Sequence, residues 1–381
     1  MSGNATGRPT VATIDLNALA YNFHSSKRFI GGVKYLAVVK ANAYGHGAVD
    51  CARRLESEGV DWFGVALVEE GVELRNAGIN TPILVLGGFW SGQEHEVIDH
   101  GLTPAISTVN QLDLFEKALA SRGIEHKVHI KIDTGMMRIG VCYTKLDEFA
   151  DKLASCQHLR VEGAMTHFAA ADDLNETDFT NEQMLRFDEC VQKLASIGIH
   201  PNIIDLANSP GAVGHPTARR QMVRLGGILY GLGGDVLAKE INKPDLRPVM
   251  SLRSKVAMLK PVKMGSSIGY GRSFRASRDM AAAVVPIGYA DGLPRSLSSK
   301  GRMLIRGQIA PIVGRVSMDW TVVDVTAIEG VIEGDSVTLI GSDGYSSIYA
   351  EDLADLADTI SYEITCRISR RVTRQVIGGI Q

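Results

Sequence analysis

Residues 35–66 read YLAVVKANAYGHGAVDCARRLESEGVDWFGVA. An apolar, β-branched run (35–39) is followed by an amphipathic helical pattern (47–58), a glycine at 59 and a second apolar run (62–66). Continuous apolar runs of this length suit strands buried on both faces, and a helix between two of them is the unit of a parallel sheet. The unit repeats. Further strand-like runs stand at 82–86, 104–107, 127–132, 161–166, 202–206 and 222–224, which brings the total to eight. Helical patterns lie between them at 68–77, 91–100, 108–122, 144–155 and 178–198. Gly59, Gly78, Gly101 and Gly123 fall where helix C-termini favour glycine. Eight such units in about 230 residues predict an N-terminal (β/α)8 barrel of the TIM type, with a doubly wound sheet as the alternative.

After the charged, proline-bearing stretch AKEINKPDLRP (238–248) the texture changes. Strand-like runs recur at 249–259, 280–287, 302–305, 308–313, 320–325 and 335–340, separated by glycine-bearing turns, with one helical pattern near 349–357. We therefore expect a barrel over 12–241 and a C-terminal mostly β domain over 242–381, the latter joined by a strand drawn from residues 1–11. The extended stretch 10–14 is expected to pair with this second domain.

The 381 residues are 45% hydrophobic and 22% charged, the balance of a folded chain with a sizeable core. With 40 Lys+Arg against 43 Asp+Glu, the net charge of -3 provides no global field for nucleic acid or an anionic membrane. Cys51, Cys142, Cys156, Cys190 and Cys366 are scattered, with no C-x-x-C pair and no histidine at zinc-ligand spacing. They read as reduced thiols, with no metal site. The start MSGNATGRPT lacks a basic segment followed by an apolar one, and no uninterrupted apolar run approaches about 18 residues. A cytoplasmic protein acting on a small molecule is the expectation.

Barrels of this type carry their chemistry at the C-terminal ends of the strands. The first run ends in Lys40, which is either a desolvated amine suited to a Schiff base or a rim lysine emerging into solvent. The fifth run leads into KIDTGMMRIG, with Lys131, Asp133 and Arg138; the sixth ends in MTHF, with His167. The seventh and eighth end in LANSPG and VRLGGILYG, where Asn208, Ser209, Gly226 and Gly227 suit a phosphate cradle and Arg224 adds a fixed cation. Tight turns without a ligand are the alternative for those glycines. A Schiff-base lysine and a phosphate cradle on one face together suggest pyridoxal phosphate.

In these segments the sequence resembles the alanine racemases. AVVKANAYGHG is similar to the family's lysine segment and KIDTGMMRIG to its arginine segment, while SIGYGRSF, PIGYADG, GRVSMDW and ISYEI are similar to its C-terminal signatures. The likeness spans nearly the whole chain; Leu225 and Gly227 depart from the residues usual there. It implies a PLP-dependent enzyme interconverting L-alanine and D-alanine, supplying D-alanine for peptidoglycan precursors. Lys40 would hold the cofactor; Tyr44, Asn208, Ser209, Gly226, Gly227 and Tyr362 would line its phosphate end. Arg224 would face the pyridine nitrogen, Arg138 the phenolic oxygen and the substrate carboxylate, and His167 would bond Arg224. Lys131 matches a lysine that is often carbamylated in the family.

Racemisation needs a base on each face of Cα, and the resemblance assigns Lys40 to one and Tyr270 to the other. Tyr289, Met318 and Asp319 would help receive the substrate. Because Tyr270 belongs to the second domain, the resemblance implies a head-to-tail homodimer with shared sites. A PLP decarboxylase or D-amino-acid lyase, and a non-catalytic PLP-binding barrel, are the competing functions. The former is weakened by Tyr270 and Arg224, the latter by the β domain with its signatures.

Overall fold

The computed structural model describes residues 7–238 and 241–379. The chain enters through strand β1 (Val11–Asp15) and helix α1 (Leu16–Ile30). Asp15 starts that helix, its side chain accepting from the Asn17 and Ala18 N–H groups, and Gly31 ends it at φ 71. Eight parallel strands follow: β2 (Lys34–Val38), β3 (Trp62–Val65), β4 (Ile83–Val85), β5 (Thr103–Ile106), β6 (His126–Asp133), β7 (Leu159–Met165), β8 (Ile203–Asp205) and β9 (Met222–Leu225). Each pairs with the next, and β9 pairs with β2, so the sheet closes into a barrel. Around it run α2 (Ala48–Ser57), α3 (Val68–Asn76), α4 (Glu94–Asp99), α5 (Val109–Arg122), α6 (Leu146–Ser155) and α7 (Thr177–Ser196); the short α8 (Ser209–Gly214) follows β8.

The barrel interior is filled by pairing large side chains with glycines. A Cβ on Gly64 would stand 2.5 Å from Leu36, and one on Gly163 would stand 2.5 to 2.7 Å from three atoms of the His129 ring. His129 and Gly163 are register partners on β6 and β7, so the missing side chain of one makes room for the other. Side chains on a strand alternate in direction, so the His129 side of β6 also carries Lys131 and Asp133 toward the barrel mouth.

The second domain is mostly β. Its main sheet runs in the order β14 (Gln308–Pro311), β13 (Arg302–Ile305), β16 (Ser336–Asp343), β10 (Met250–Lys255), β1 and β17 (Thr373–Ile377). A second sheet joins β11 (Met258–Val262), β12 (Met280–Val285) and β15 (Thr321–Asp324), and two helices, α9 (Ala350–Ala357) and α10 (Ser361–Cys366), complete the unit. The single run expected at 249–259 is two strands, β10 and β11. The strand drawn from residues 1–11 is instead β1; residues 1–6 lie outside the described part. Ala12 and Ile14 of β1 are fully buried between β10, antiparallel, and β17, parallel, which puts residues 12–15 in the β-domain sheet rather than the barrel. The arginine-bearing C-terminal segment is tied down by Arg374, which donates to the carbonyls of Gly45, Ile368, Ser369 and Val372.

The His129–Gly163 contact generates a test. Gly163→Ala should cost about 1–3 kcal/mol through overpacking, measured as a urea midpoint. The same substitution in a His129→Ala background should cost far less. Additive losses would show that the two residues do not share one space.

Candidate functional site

A cavity of about 690 Å³ opens at the C-terminal ends of the barrel strands. Lys40, Tyr44, Lys131, Arg138, His167, Asn208, Ser209, Arg224, Gly226, Gly227 and Tyr362 all line it. Eleven residues read from dispersed segments therefore meet in one place.

Lys40 is delivered by an unusual turn. The four residues after it, Ala41, Asn42, Ala43 and Tyr44, hold φ between 52 and 54, the left-handed helical region. For L-residues this costs about 1–2 kcal/mol each. Local hydrogen bonds offset it. Ala41 N–H donates to Glu70 at 2.6 Å, Gly47 N–H to the Asn42 carbonyl at 2.9 Å, and Ala48 N–H to the Asn42 side chain at 2.8 Å. The buried His46 ring donates from Nδ1 to the Ala43 and Tyr44 carbonyls at 2.9 and 3.0 Å and stacks on Tyr230. Burial pushes His46 down to about 4, so it serves as a neutral donor. Tyr230 in turn donates to the Val38 carbonyl at 2.9 Å, fixing the strand that ends at Lys40. The turn returns Tyr44 to the cavity beside the lysine.

At the opposite end, a Cβ on Gly226 would stand 2.4 Å from the Tyr44 hydroxyl, and one on Gly227 2.2 Å from the Tyr362 hydroxyl. Two tyrosine hydroxyls thus lie against bare backbone, and Ser209 Oγ accepts from Gly226 N–H at 3.0 Å. Asn208 caps α8 by accepting from Gly211 N–H. Among the described residues the Tyr44 and Tyr362 hydroxyls have no protein partner, which leaves donors and space for a phosphate.

Arg224 is the most constrained cation of the site. It is 3% exposed and donates from Nη2 to the carbonyls of Thr166 (2.7 Å) and Leu206 (3.2 Å) and to His167 Nδ1 (3.2 Å), and from Nη1 to the Asp205 carbonyl (3.3 Å). Its Nη1 also lies 2.5 Å from Oδ1 of the fully buried Asp205, off the linear hydrogen-bond direction. A guanidinium only donates, so His167 Nδ1 accepts and its proton sits on Nε2. Burial, and then Arg224, hold His167 well below the usual histidine range, so it is neutral. Burial and then Arg138 likewise lower the Lys40 amine. Lys131, 6% exposed, bonds the Leu86 carbonyl at 3.3 Å and is pushed down to about 8 by burial, then by Arg224, Arg138 and Lys40.

Sequence reasoning alone does not single out Asp205, although it closes the apolar run NIID as Lys40 closes its own. It also misses Glu70, which holds Ala41, and Asp172 and Asp235 on the cavity wall. Conversely, Tyr270, Tyr289, Met318 and Asp319 do not line this cavity. Tyr270 is 71% exposed at the tip of a hairpin between Ser267–Ile268 and Phe274–Arg275, with Gly269 and Gly271 at φ 73 and 67. Tyr289 and Met318 are also exposed, on adjoining segments joined by Tyr289 N–H to the Ser317 carbonyl. Arg371 pairs with Asp319 at 2.6 Å, and Arg8 pairs with the buried Asp291 beside Tyr289. A charged network thus fixes these segments on the β domain.

A barrel with a lysine at a strand tip, a buried arginine and a glycine cradle defines the class of a small-molecule enzyme built for a phosphorylated cofactor. Comparison with known proteins narrows it. Residues 14–233 match the family description "Alanine racemase, N-terminal domain" and residues 249–376 "Alanine racemase, C-terminal domain". The alanine racemase of Geobacter sulfurreducens is 43% identical over 373 residues, covering 96% of this chain and 97% of that one. The crystal structure of alanine racemase from D-cycloserine-producing Streptomyces lavendulae superposes with a TM-score of 0.92 at 34% identity, covering 98% of both chains. That of Bartonella henselae, with covalently bound pyridoxal phosphate, gives 0.87 at 29% identity over 97% of this chain and 100% of its own. The chain belongs to the alanine racemase family.

The electrostatics of Lys131 can be tested alone. After reductive 13C-methylation, one dimethyl-lysine resonance should titrate near 8 and vanish in Lys131→Gln. A lowered lysine pKa means the unfolded chain binds more protons between 8 and 10.5, so folding stability should gain from this group as pH rises through that window. Titration of Lys131 at the ordinary value would contradict the burial described.

Proposed function

We propose that this chain is a cytoplasmic alanine racemase that interconverts L-alanine and D-alanine with pyridoxal 5'-phosphate, supplying D-alanine for peptidoglycan precursors. The observation that carries the cofactor assignment is the convergence of Lys40, the Gly226–Gly227 cradle and Arg224 on one cavity. When bound, the cofactor supplies an electron sink that acidifies the Cα–H of an attached amino acid. Lys40 would anchor it; Tyr44, Ser209, Gly227 N–H and Tyr362 would hold its phosphate, with Asn208 ordering that loop. Arg224 would serve the pyridine nitrogen and Arg138 the phenolic oxygen and the substrate carboxylate.

Lys40, its pKa lowered by burial, takes or returns a proton on one face of Cα. Tyr270 of the partner subunit serves the other face in a head-to-tail homodimer. Three features support the shared site. The Tyr270 hairpin tip is exposed and outside the cavity of its own chain. Residues 249–381 carry 16 basic against 13 acidic side chains, whereas residues 1–248 carry 24 against 30, so barrel and β domain attract across copies. His167 keeps its proton on Nε2, free to stabilise a phenolate. Tyr289, Met318 and Asp319 would arrive with Tyr270, and Tyr289 and Tyr362 would narrow the entrance in favour of alanine.

Lys131 is suited to carbamylation. Its neutral amine adds to the carbon of CO2 and releases a proton, leaving an anion to balance Arg138. In 13C-bicarbonate, a carbamate carbonyl resonance should appear and be lost in Lys131→Gln. Its absence at neutral pH would remove this part of the proposal.

Two experiments test the whole. In deuterated water, L-alanine should exchange its Cα hydrogen while the solution loses optical rotation; exchange or decarboxylation without racemisation would refute the activity. Equal mixtures of inactive Lys40→Ala and Tyr270→Phe chains should recover about a quarter of the wild-type rate, since half the dimers are mixed and each carries one intact site. Confirmed subunit exchange with no recovered activity would refute the shared site.

A further inference from the structure

We infer that Asp205 is a positioning residue whose carboxylate neutralises Arg224, so that the cofactor's ring nitrogen meets a hydrogen-bond donor belonging to a neutral buried pair. The inference rests on the reading that Arg224 serves that nitrogen.

Arg224 and Asp205 are 3% and 0% exposed and stand on neighbouring strands, with Met222 of β9 the register partner of Asp205. Arg224 therefore lies one inward-facing position above Asp205, on the same side of the wall, and Nη1 reaches Oδ1 at 2.5 Å. The guanidinium's bonds are divided by nitrogen. Nη1 is spent on Asp205 and Nη2 on the Thr166 and Leu206 carbonyls and His167; Nε–H has no acceptor among the described residues. One donor remains.

The charge balance needs the carboxylate. Arg224 is shut in a largely dry wall that also faces Lys40 and Arg138, where a guanidinium without a counter-anion is strongly unfavourable. Asp172 and Asp235 also line the cavity, but neither makes an ion pair with Arg224 among the described residues. Neither carboxylate oxygen of Asp205 has an aligned hydrogen-bond donor there, so its one strong interaction is the close ion pair with this guanidinium; burial pushes Asp205 up, and Arg224 beside it draws it back down. A lone guanidinium would pull harder on the electrons of a ring nitrogen than the same group paired with an anion. Asp205 thus sets the strength of that hydrogen bond without touching the cofactor.

The test uses the full-length enzyme loaded with pyridoxal phosphate carrying 15N in the ring. Asp205→Asn keeps the size and removes the anion, and should move the ring-nitrogen resonance upfield, toward the protonated-pyridine value. Asp205→Glu should bring it back toward wild type. An unmoved resonance in a fully loaded Asp205→Asn enzyme would overturn the inference, because a merely structural aspartate would lower stability or loading without changing the nitrogen that remains bound. Arg224→Leu separates the two readings. If it moves the resonance and Asp205→Asn does not, the Asp205 inference alone fails; if neither does, Arg224 is not at the nitrogen. Should Asp205→Asn not fold, the 13Cγ resonance of Asp205 in the unsubstituted chain decides: a carboxylate value at pH 7 supports the pair, and a carboxylic-acid value overturns it.

Discussion

A guanidinium shut inside a barrel wall has to be satisfied from every side, and Arg224 meets that demand by drawing on three strand ends. Thr166 and His167 follow β7, Asp205 and Leu206 close β8, and Arg224 itself stands on β9. The geometry of three of the eight strand ends is therefore bound to one side chain. The tautomer of His167 follows from it, because only an accepting Nδ1 fits. The lowered Lys131 follows in part as well, since its amine sits in the field of the same cation. Deleting such a side chain is costly chiefly because it strands buried carbonyls and a carboxylate without a donor.

The second constraint is the left-handed turn behind Lys40. It puts Gly45 so close to α10 that a Cβ would stand 2.2 Å from the Thr365 carbonyl oxygen. The turn and the helix carrying Tyr362 are thus in backbone contact. Tyr44 and Tyr362, with ring centroids 5.3 Å apart, come together as a consequence of that closeness. The cradle is built jointly by the barrel and the β domain. Arg374 reinforces the seam through the Gly45 carbonyl.

The barrel was legible because parallel strands buried on both faces must be apolar throughout, and glycines mark where the intervening helices stop. Lys40, His167 and Arg224 were legible for a related reason: polar residues closing apolar runs stand out. By that logic Asp205 was readable too, but its partner lies 19 residues away, and only the folded wall shows the carboxylate against the cation. The turn at 41–44 was not readable at all. Its sequence, ANAY, gives no sign of left-handedness, which is imposed by Glu70, His46 and Tyr230 from outside the segment. The extended stretch 10–14 was legible as a strand that pairs with the second domain, but which strands flank it was not, because its partners arrive more than 200 residues later. The Tyr270 hairpin was signalled by its glycines, but its exposure became visible only in three dimensions.

On the shared-site reading, that exposure carries a mass-action consequence. An enzyme whose two acid–base groups ride on different chains has no active monomer, so on the shared-site reading its specific activity is a function of its own concentration. Diluted below the dissociation constant of the pair, a separated copy would hold only one of the two acid–base groups at its cavity and would turn over nothing. The charge contrast between the two halves of the chain makes that threshold depend on ionic strength: added salt weakens the attraction and raises the concentration at which activity appears. A molecule that wedged the Tyr270 hairpin away from a neighbouring barrel would therefore act as an inhibitor without competing with substrate or cofactor for the cavity.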